Sequence, residues 1–170
     1  MAAISAFRAS SEGKNLATKQ KLKSEFASAA ESRLQSGLAE FSSATPAPIV
    51  GASSEAWIAP SNEGVCTYIP DPVDGWGGTC ATLSTVEDGE AFSILGGPND
   101  NMGSNALVAV VVADGAQAPT VVTASGVTTS LAVHNNVAAA LLPTTDTLQA
   151  GARSIPLSVV DGPTKTRGVG

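Results

Sequence analysis

Two hydrophobic patterns divide the chain. Within residues 15–42, apolar side chains recur at every fourth position, which predicts an amphipathic helix with a broad apolar face. Polar or charged side chains occupy most of the other positions. We expect the apolar face to pack on the rest of the protein or on a partner. Binding to a membrane surface is the alternative, and it is disfavoured because alanine-rich faces bind lipid poorly. The predicted face comprises Leu22, Phe26, Ala30, Leu34, Leu38 and Phe41.

The run Thr45-Pro-Ala-Pro48 predicts the end of this helix, because proline restricts both itself and the residue before it. We therefore expect three parts in the chain. These are an N-terminal tail and helix over 1–44, a Pro/Gly/Ser linker over 45–54, and a β domain with a short C-terminal tail over 55–170.

Beyond the predicted linker, short apolar runs alternate with turn sequences, with no intervening helical pattern. This predicts a mainly β fold, either an antiparallel β-sandwich or a small barrel, with about eight or nine short strands and one N-terminal α-helix. The valine-rich run is apolar on both faces, which indicates a central strand. The predicted strands are 55–59, 64–69, 79–84, 90–95, 105–113, 118–124, 127–133, 137–142 and 154–160.

The two cysteines flank a segment rich in proline and glycine. Such a segment lets two strand ends approach each other, so the spacing favours a disulfide between Cys66 and Cys80. A disulfide indicates an oxidising compartment. Two buried thiols in a cytosolic protein are the alternative. The sequence start lacks the charged and apolar regions of a secretory signal, so an exported protein would have lost its export segment upstream.

Charge is distributed unevenly along the 170 residues. The net charge is +3 over 1–33, −11 over 34–152 and +2 over 153–170, and the middle stretch contains no Lys or Arg. A body without cations cannot neutralise phosphates, so nucleic-acid binding is not expected. The basic ends are candidates for docking on an acidic neighbour, including another copy of the same body. The longest apolar run, Ala106–Ala113, is too short to span a bilayer, so membrane attachment would need a segment absent from this chain.

The order of short motifs resembles a known family. Trp57-Ile-Ala-Pro60, Gly64-Val-Cys66 and Gly77-Gly-Thr-Cys-Ala-Thr82 precede a valine-rich strand and Val133-His-Asn-Asn-Val137. This order is similar to an uncharacterised extracytoplasmic β domain of predicted membrane-anchored actinobacterial proteins, over about residues 55–161. The resemblance implies a structural disulfide and an exported location, and it brings no established activity. The chain departs from the family in its long N-terminal helix and in lacking the usual arginines.

Aromatic and acidic residues near the cysteines form the best candidate binding group. We predict Trp76 in a glycine-flanked loop, where it could stack on a sugar or peptide beside Tyr68, Asp71 and Asp74. The alternative, which we favour, is that Trp76 covers the disulfide, because an exposed tryptophan is costly unless it is used.

Other candidate chemistry is weak. His134 is the only histidine, and Ser130 or Asp146 could be nominated as its partners, but a polar turn residue is the favoured interpretation. The oxygen-rich loop 98–105 does not match an EF-hand, so we expect an ordinary turn there. One histidine and a predicted disulfide leave too few ligands for zinc. We expect neither a metal nor a cofactor.

These observations lead to one functional prediction. The chain is predicted to be a non-enzymatic, extracellular or cell-surface domain with a structural or interaction role. Its N-terminal helix would mediate tethering or self-assembly with a protein partner or another copy, as an oligomer or filament subunit. The alternative is an extracellular module that binds sugar or peptide through the Trp76 loop.

Overall fold

A computed structural model describes residue 4 and residues 44–60, 64–71, 75–96 and 102–160, with only the backbone described at 71, 75, 76, 159 and 160. The predicted helix over 15–42 and its apolar face lie outside these ranges. The strands are β1 Thr45–Val50, β2 Glu55–Pro60, β3 Gly64–Asp71, β4 Gly75–Thr82, β5 Phe92–Gly96, β6 Asn105–Val111, β7 Thr120–Val122, β8 Thr128–Ser130, β9 Val137–Pro143, β10 Thr147–Ala150 and β11 Arg153–Pro156. A short helix α1, Leu83–Glu87, follows β4, and a 3-10 turn, Leu157–Val160, follows β11.

The predicted mainly β fold is confirmed, with eleven strands in the described ranges instead of eight or nine. They form a seven-stranded sheet in the order β4-β3-β2-β1-β9-β6-β5 and a four-stranded sheet in the order β11-β10-β7-β8. Strand pairing is antiparallel as expected, except that β1 and β9 run parallel.

The larger sheet curls until its two edge strands, β4 and β5, lie against each other. At the contact, a Cβ placed on Gly77 would lie 2.8 Å from Cδ1 of Leu95. The sheet is therefore nearly closed, like a barrel, and its concave side encloses one apolar cluster. This interior cluster includes Ile4, Ala47, Ile49, Ala56, Ile58, Val65, Ile69, Leu95, Leu107, Ala109, Val111, Val137 and Ala139.

The smaller sheet covers part of the outer side of the larger one. Alternate residues of β6 and β9 face outward and pack against it, so these two strands are buried on both faces. The prediction that the valine-rich run forms a central strand is confirmed, since β6 lies between β9 and β5. The second cluster includes Ala106, Val108, Val110, Val121, Ala138, Ala140, Leu148, Ala150 and Leu157.

The predicted linker over 45–54 is wrong for its first six residues, which form β1 in the middle of the larger sheet. Proline is tolerated there because β1 changes partner along its length. Residues 45–48 pair with β2, whereas only Ile49 and Val50 pair with β9. On the β9 side, the carbonyl of Pro46 instead accepts a hydrogen bond of 2.7 Å from Nδ2 of Asn135. The position of the missing N–H of Pro46 therefore faces β9, with which this part of β1 forms no backbone hydrogen bonds, so no ladder bond is lost.

The segment after Asp74 also differs from the prediction. It forms strand β4 from Gly75 and then helix α1, where a glycine-rich loop and a strand over 79–84 were predicted. The Thr82 side chain caps α1 by accepting from the backbone N–H of Thr85. Glycines are unfavourable in an ordinary strand, but here the Leu95 side chain lies where a side chain of residue 77 would begin. Strand β10 was not predicted, and only the first part of the predicted strand over 154–160 is extended.

The contact between Gly77 and Leu95 makes a testable prediction about closure of the sheet. Gly77→Ala should lower the free energy of unfolding by about 1–3 kcal/mol, because the added methyl displaces the Leu95 side chain. In a Leu95→Ala background, the same substitution should be neutral or stabilising. Denaturant unfolding of the four proteins of this double-mutant cycle checks the coupling. Additive effects would show that the two strands do not meet at these residues.

Candidate aromatic face beside the disulfide

The outer side of β2 and β3 carries the largest buried aromatic side chains of the described residues. We call this cluster, which consists of Ala44, Trp57, Ala59, Cys66 and Tyr68, the aromatic face. The pairing of the strands places Trp57 directly opposite Tyr68, so the two aromatic residues are cross-strand neighbours. Trp57 is 1% exposed and Tyr68 is 4% exposed. Trp57 was not singled out as a functional residue, because the continuous apolar run Ala56-Trp-Ile-Ala59 does not indicate which residues share a face.

The predicted disulfide is present and belongs to this face. Cys66 of β3 and Cys80 of β4 are directly opposed in the antiparallel ladder, with a Cα–Cα distance of 3.9 Å. Cys66 is fully buried, whereas Cys80 is exposed near the edge of the sheet. The bond therefore joins the aromatic face to edge strand β4 and holds the two strands in register.

Tyr68 and Gly78 form a second contact between the same strands. A Cβ on Gly78 would lie 2.8 Å from Cδ1 of Tyr68, so the aromatic ring covers the glycine. Such coverage compensates for the missing side chain in a glycine-containing strand. Burial of the phenol away from water raises the pKa of Tyr68 to about 12.

The predicted ligand-binding group is only partly described. Tyr68 is buried in the aromatic face instead of being exposed for stacking. The backbone of Trp76 belongs to β4 and pairs with Pro70, so this residue is in a strand and not in a loop. The side chains of Asp71 and Trp76, and the whole of Asp74, lie outside the described part of the chain. Of these four side chains, only that of Tyr68 is described, and it is buried.

His134 occupies a tight hairpin turn, as the favoured interpretation predicts. Its backbone N–H and carbonyl both bond to Val137, at 2.8 and 2.9 Å, and its side chain is exposed. Asn135 and Asn136 between them have φ values of 50° and 63°, as a two-residue hairpin turn of this kind requires. Asp146 instead accepts a hydrogen bond from the backbone N–H of Ala124, so it supports a turn and not a histidine.

Asn136 links this turn to the end of β6. Its Nδ2 donates to the carbonyl of Val112 at 2.9 Å and to Oδ1 of Asp114 at 2.8 Å. Together with the bond from Asn135 to Pro46, the turn joins three strands by side-chain hydrogen bonds. The Asn-Asn pair is therefore structural, since the side-chain amide of each residue donates a hydrogen bond to another strand or to its end.

One cation of the basic C-terminal end binds within its own body. Nη2 of Arg153 lies 3.0 Å from Oε2 of Glu90, and the ion pair lowers the pKa of that carboxyl. The charge distribution suggested that the basic ends dock on an acidic neighbour, but Arg153 forms its ion pair with Glu90 of the same chain. Within the described ranges, no group of three or more His, Cys, Asp or Glu residues could hold a metal ion. No helix in those ranges combines the length and apolarity of a membrane span.

Comparisons of the chain with protein-family models, with curated proteins and with solved structures find no match. The resemblance to the actinobacterial extracytoplasmic domain therefore stays a prediction that rests on the short motifs.

The disulfide leads to a prediction about stability. Replacing both cysteines by alanine should lower the free energy of unfolding by about 2–4 kcal/mol, because the unfolded chain gains freedom. Reduction of the wild-type protein should produce a similar loss and raise its mass by two hydrogens. Mass spectrometry and denaturant unfolding, each with and without reductant, check this. An unchanged mass on reduction would show that the thiols are free.

The buried phenol leads to a second prediction. Tyr68 is the only tyrosine in the chain, so absorbance near 295 nm reports its ionisation alone. The phenolate should form near pH 12 in the folded protein, against 10.0 in the unfolded chain. Because the unfolded state loses its proton first, stability should fall as pH rises from about 10 to about 12. Tyr68→Phe should remove both the absorbance change and this part of the pH dependence. Titration near pH 10 while circular dichroism stays native would contradict burial of the phenol.

Proposed function

We propose that the chain is a non-enzymatic, exported structural or interaction domain whose N-terminal segment mediates tethering or self-assembly. The observation that carries this proposal is the burial of the aromatic face. A single sheet leaves its outer side open to solvent unless a second layer covers it. On the other flank of the larger sheet, the four-stranded sheet is that layer. The described members of the aromatic face all come from β2, β3 and Ala44.

The N-terminal segment is the best-placed part of the chain to cover this face. It leads directly into Ala44, which is itself a member of the cluster. At its other end, Ile4 packs in the interior cluster of the barrel. Both ends of the segment are therefore anchored on the same body, and the predicted apolar helix face supplies leucine and phenylalanine side chains that can cover Trp57 and Tyr68.

Dimensions and charge also support an interaction role for this segment. A helix over 15–42 would be about 42 Å long, whereas an eight-residue strand such as β3 spans only about 27 Å. A helix laid along the strands would extend beyond the face, where a partner or a second copy could bind it. The net charge of +3 over 1–33 is attracted to a body of net charge −11, or to the body of another copy.

The disulfide supports an extracytoplasmic location, because such bonds persist in oxidising compartments. The sugar- or peptide-binding alternative ranks second, since it requires the side chain of Tyr68 to be accessible. Tyr68 is 4% exposed, so a ligand would first have to displace whatever covers it.

A pair of substitutions in the predicted helix tests the proposal. In a Trp76→Phe background, Trp57 is the only tryptophan and its emission reports on the aromatic face. Leu34→Asp should shift this emission to longer wavelength and lower stability by about 3 kcal/mol, because it places a charge in an apolar contact. Ser32→Asp adds the same charge on the opposite side of the predicted helix and should change neither property.

Equal effects of the two substitutions, or no effect of either, would contradict packing of this helix on the aromatic face. Fluorescence spectra and denaturant unfolding of the full chain provide both measurements. Circular dichroism of the same samples reports whether each variant retains its β structure.

A further inference from the structure

Strand β8 is the one unprotected sheet edge in the described part of the chain. The edges β4 and β5 of the larger sheet lie against each other. The edge β11 of the smaller sheet begins with charged Arg153 and ends with Pro156, which lacks an N–H. Strand β8 has neither charge nor proline, and all three of its residues are exposed. Natural proteins usually protect such edges with lysine, proline or a bulge.

The hydrogen bonds of the β7–β8 hairpin show which groups face outward. The backbone N–H of Thr123 bonds to the carbonyl of Val127, and that of Leu131 bonds to the carbonyl of Pro119. In an antiparallel ladder every second residue bonds to the same neighbour, so Thr129 also bonds toward β7. The N–H and carbonyl groups of Thr128 and Ser130 therefore point away from the sheet.

We propose that β8 pairs with β8 of a second copy, antiparallel and about a twofold axis through Thr129. In this register Thr128 of one copy faces Ser130 of the other, and the two pairs form four backbone hydrogen bonds. Val127, which is 57% exposed, then lies opposite Leu131 of the second copy. The pairing joins the two four-stranded sheets into one continuous sheet of eight strands.

Charge favours a second copy at this edge. The body carries eleven acidic groups and no Lys or Arg over 34–152, so two bodies repel each other over most of their surfaces. From Gly115 to Thr145, however, the chain contains no Asp, Glu, Lys or Arg. Two copies can approach through the uncharged β7–β8 hairpin with the least repulsion, and salt should strengthen the contact by screening the charges elsewhere. All three residues of β8 are exposed, including Thr129, so β8 of the second copy can approach this edge.

Two substitutions at one position test the pairing in the full chain. Thr128→Pro removes an outward N–H but leaves the β7 ladder intact, whereas the control Thr128→Val keeps the N–H. Sedimentation velocity over a concentration series should show a weak dimer for the wild type and for Thr128→Val. The dimer dissociation constant of Thr128→Pro should be at least about tenfold higher. Association should strengthen as salt is raised from about 50 to about 500 mM, because salt in this range screens the repulsion between the acidic bodies. A wild type that stays monomeric, or equal association of both variants, would overturn the proposal.

A cross-linking experiment tests the register independently of any change in folding. Thr129 faces Thr129 of the second copy as a non-hydrogen-bonded pair, with an expected Cα–Cα distance of about 4.5 Å, which a disulfide can bridge. Thr129→Cys should therefore give a covalent dimer on mild oxidation, whereas Ser125→Cys in the hairpin turn should not. Equal cross-linking of the two variants would overturn this register. The proposed pairing uses no residue of the N-terminal segment, so Leu34→Asp should leave the cross-link unchanged. The two proposals can therefore fail separately.

Discussion

Both faces of the seven-stranded sheet are apolar, and the rest of the structure follows from the need to bury them. Curling the sheet encloses one face as the interior cluster. The outer face is then divided between the four-stranded sheet, which covers β6 and β9, and the aromatic face on β2 and β3. Strand β9 is packed against a layer on each side, and its buried residues are mainly alanine, so small side chains fill the space between the layers there.

The Asn135-Asn136 turn solves a problem that this curvature creates. Where β1 leaves β2 and joins β9, part of its backbone has no neighbouring strand to bond with. Asn135 supplies a donor to Pro46, and Asn136 supplies donors to the end of β6. Asparagine tolerates a positive backbone φ, and its side-chain amide donates hydrogen bonds. One Asn-Asn dipeptide therefore makes the turn and also supplies donors to backbone carbonyls of the neighbouring strands.

The sequence predicts those elements whose signal is local. Strand β6 has apolar residues on both faces, the cysteines flank a turn-rich segment, and His134 is expected in a turn. The structure confirms all three predictions. Strand β1 and the first half of β4 escape prediction because their support is distant in the chain. Pro46 of β1 depends on Asn135, and Gly77 depends on Leu95. The aromatic face escapes for the same reason, since the pairing of Trp57 with Tyr68 depends on the register of two strands.

The parallel pairing of β1 with β9 also determines when the fold can be completed. Ile49 pairs with Ala139, ninety positions later, whereas β1 to β4 follow one another as neighbours in both sequence and space. The first four strands can assemble as soon as they are synthesised, but the barrel closes only after β9 is available. Loop closure over this distance is entropically costly, so folding should be slow compared with that of a protein with local contacts. Until then the emerging chain exposes the apolar inner side of a half-built barrel, so aggregation competes with folding during this interval.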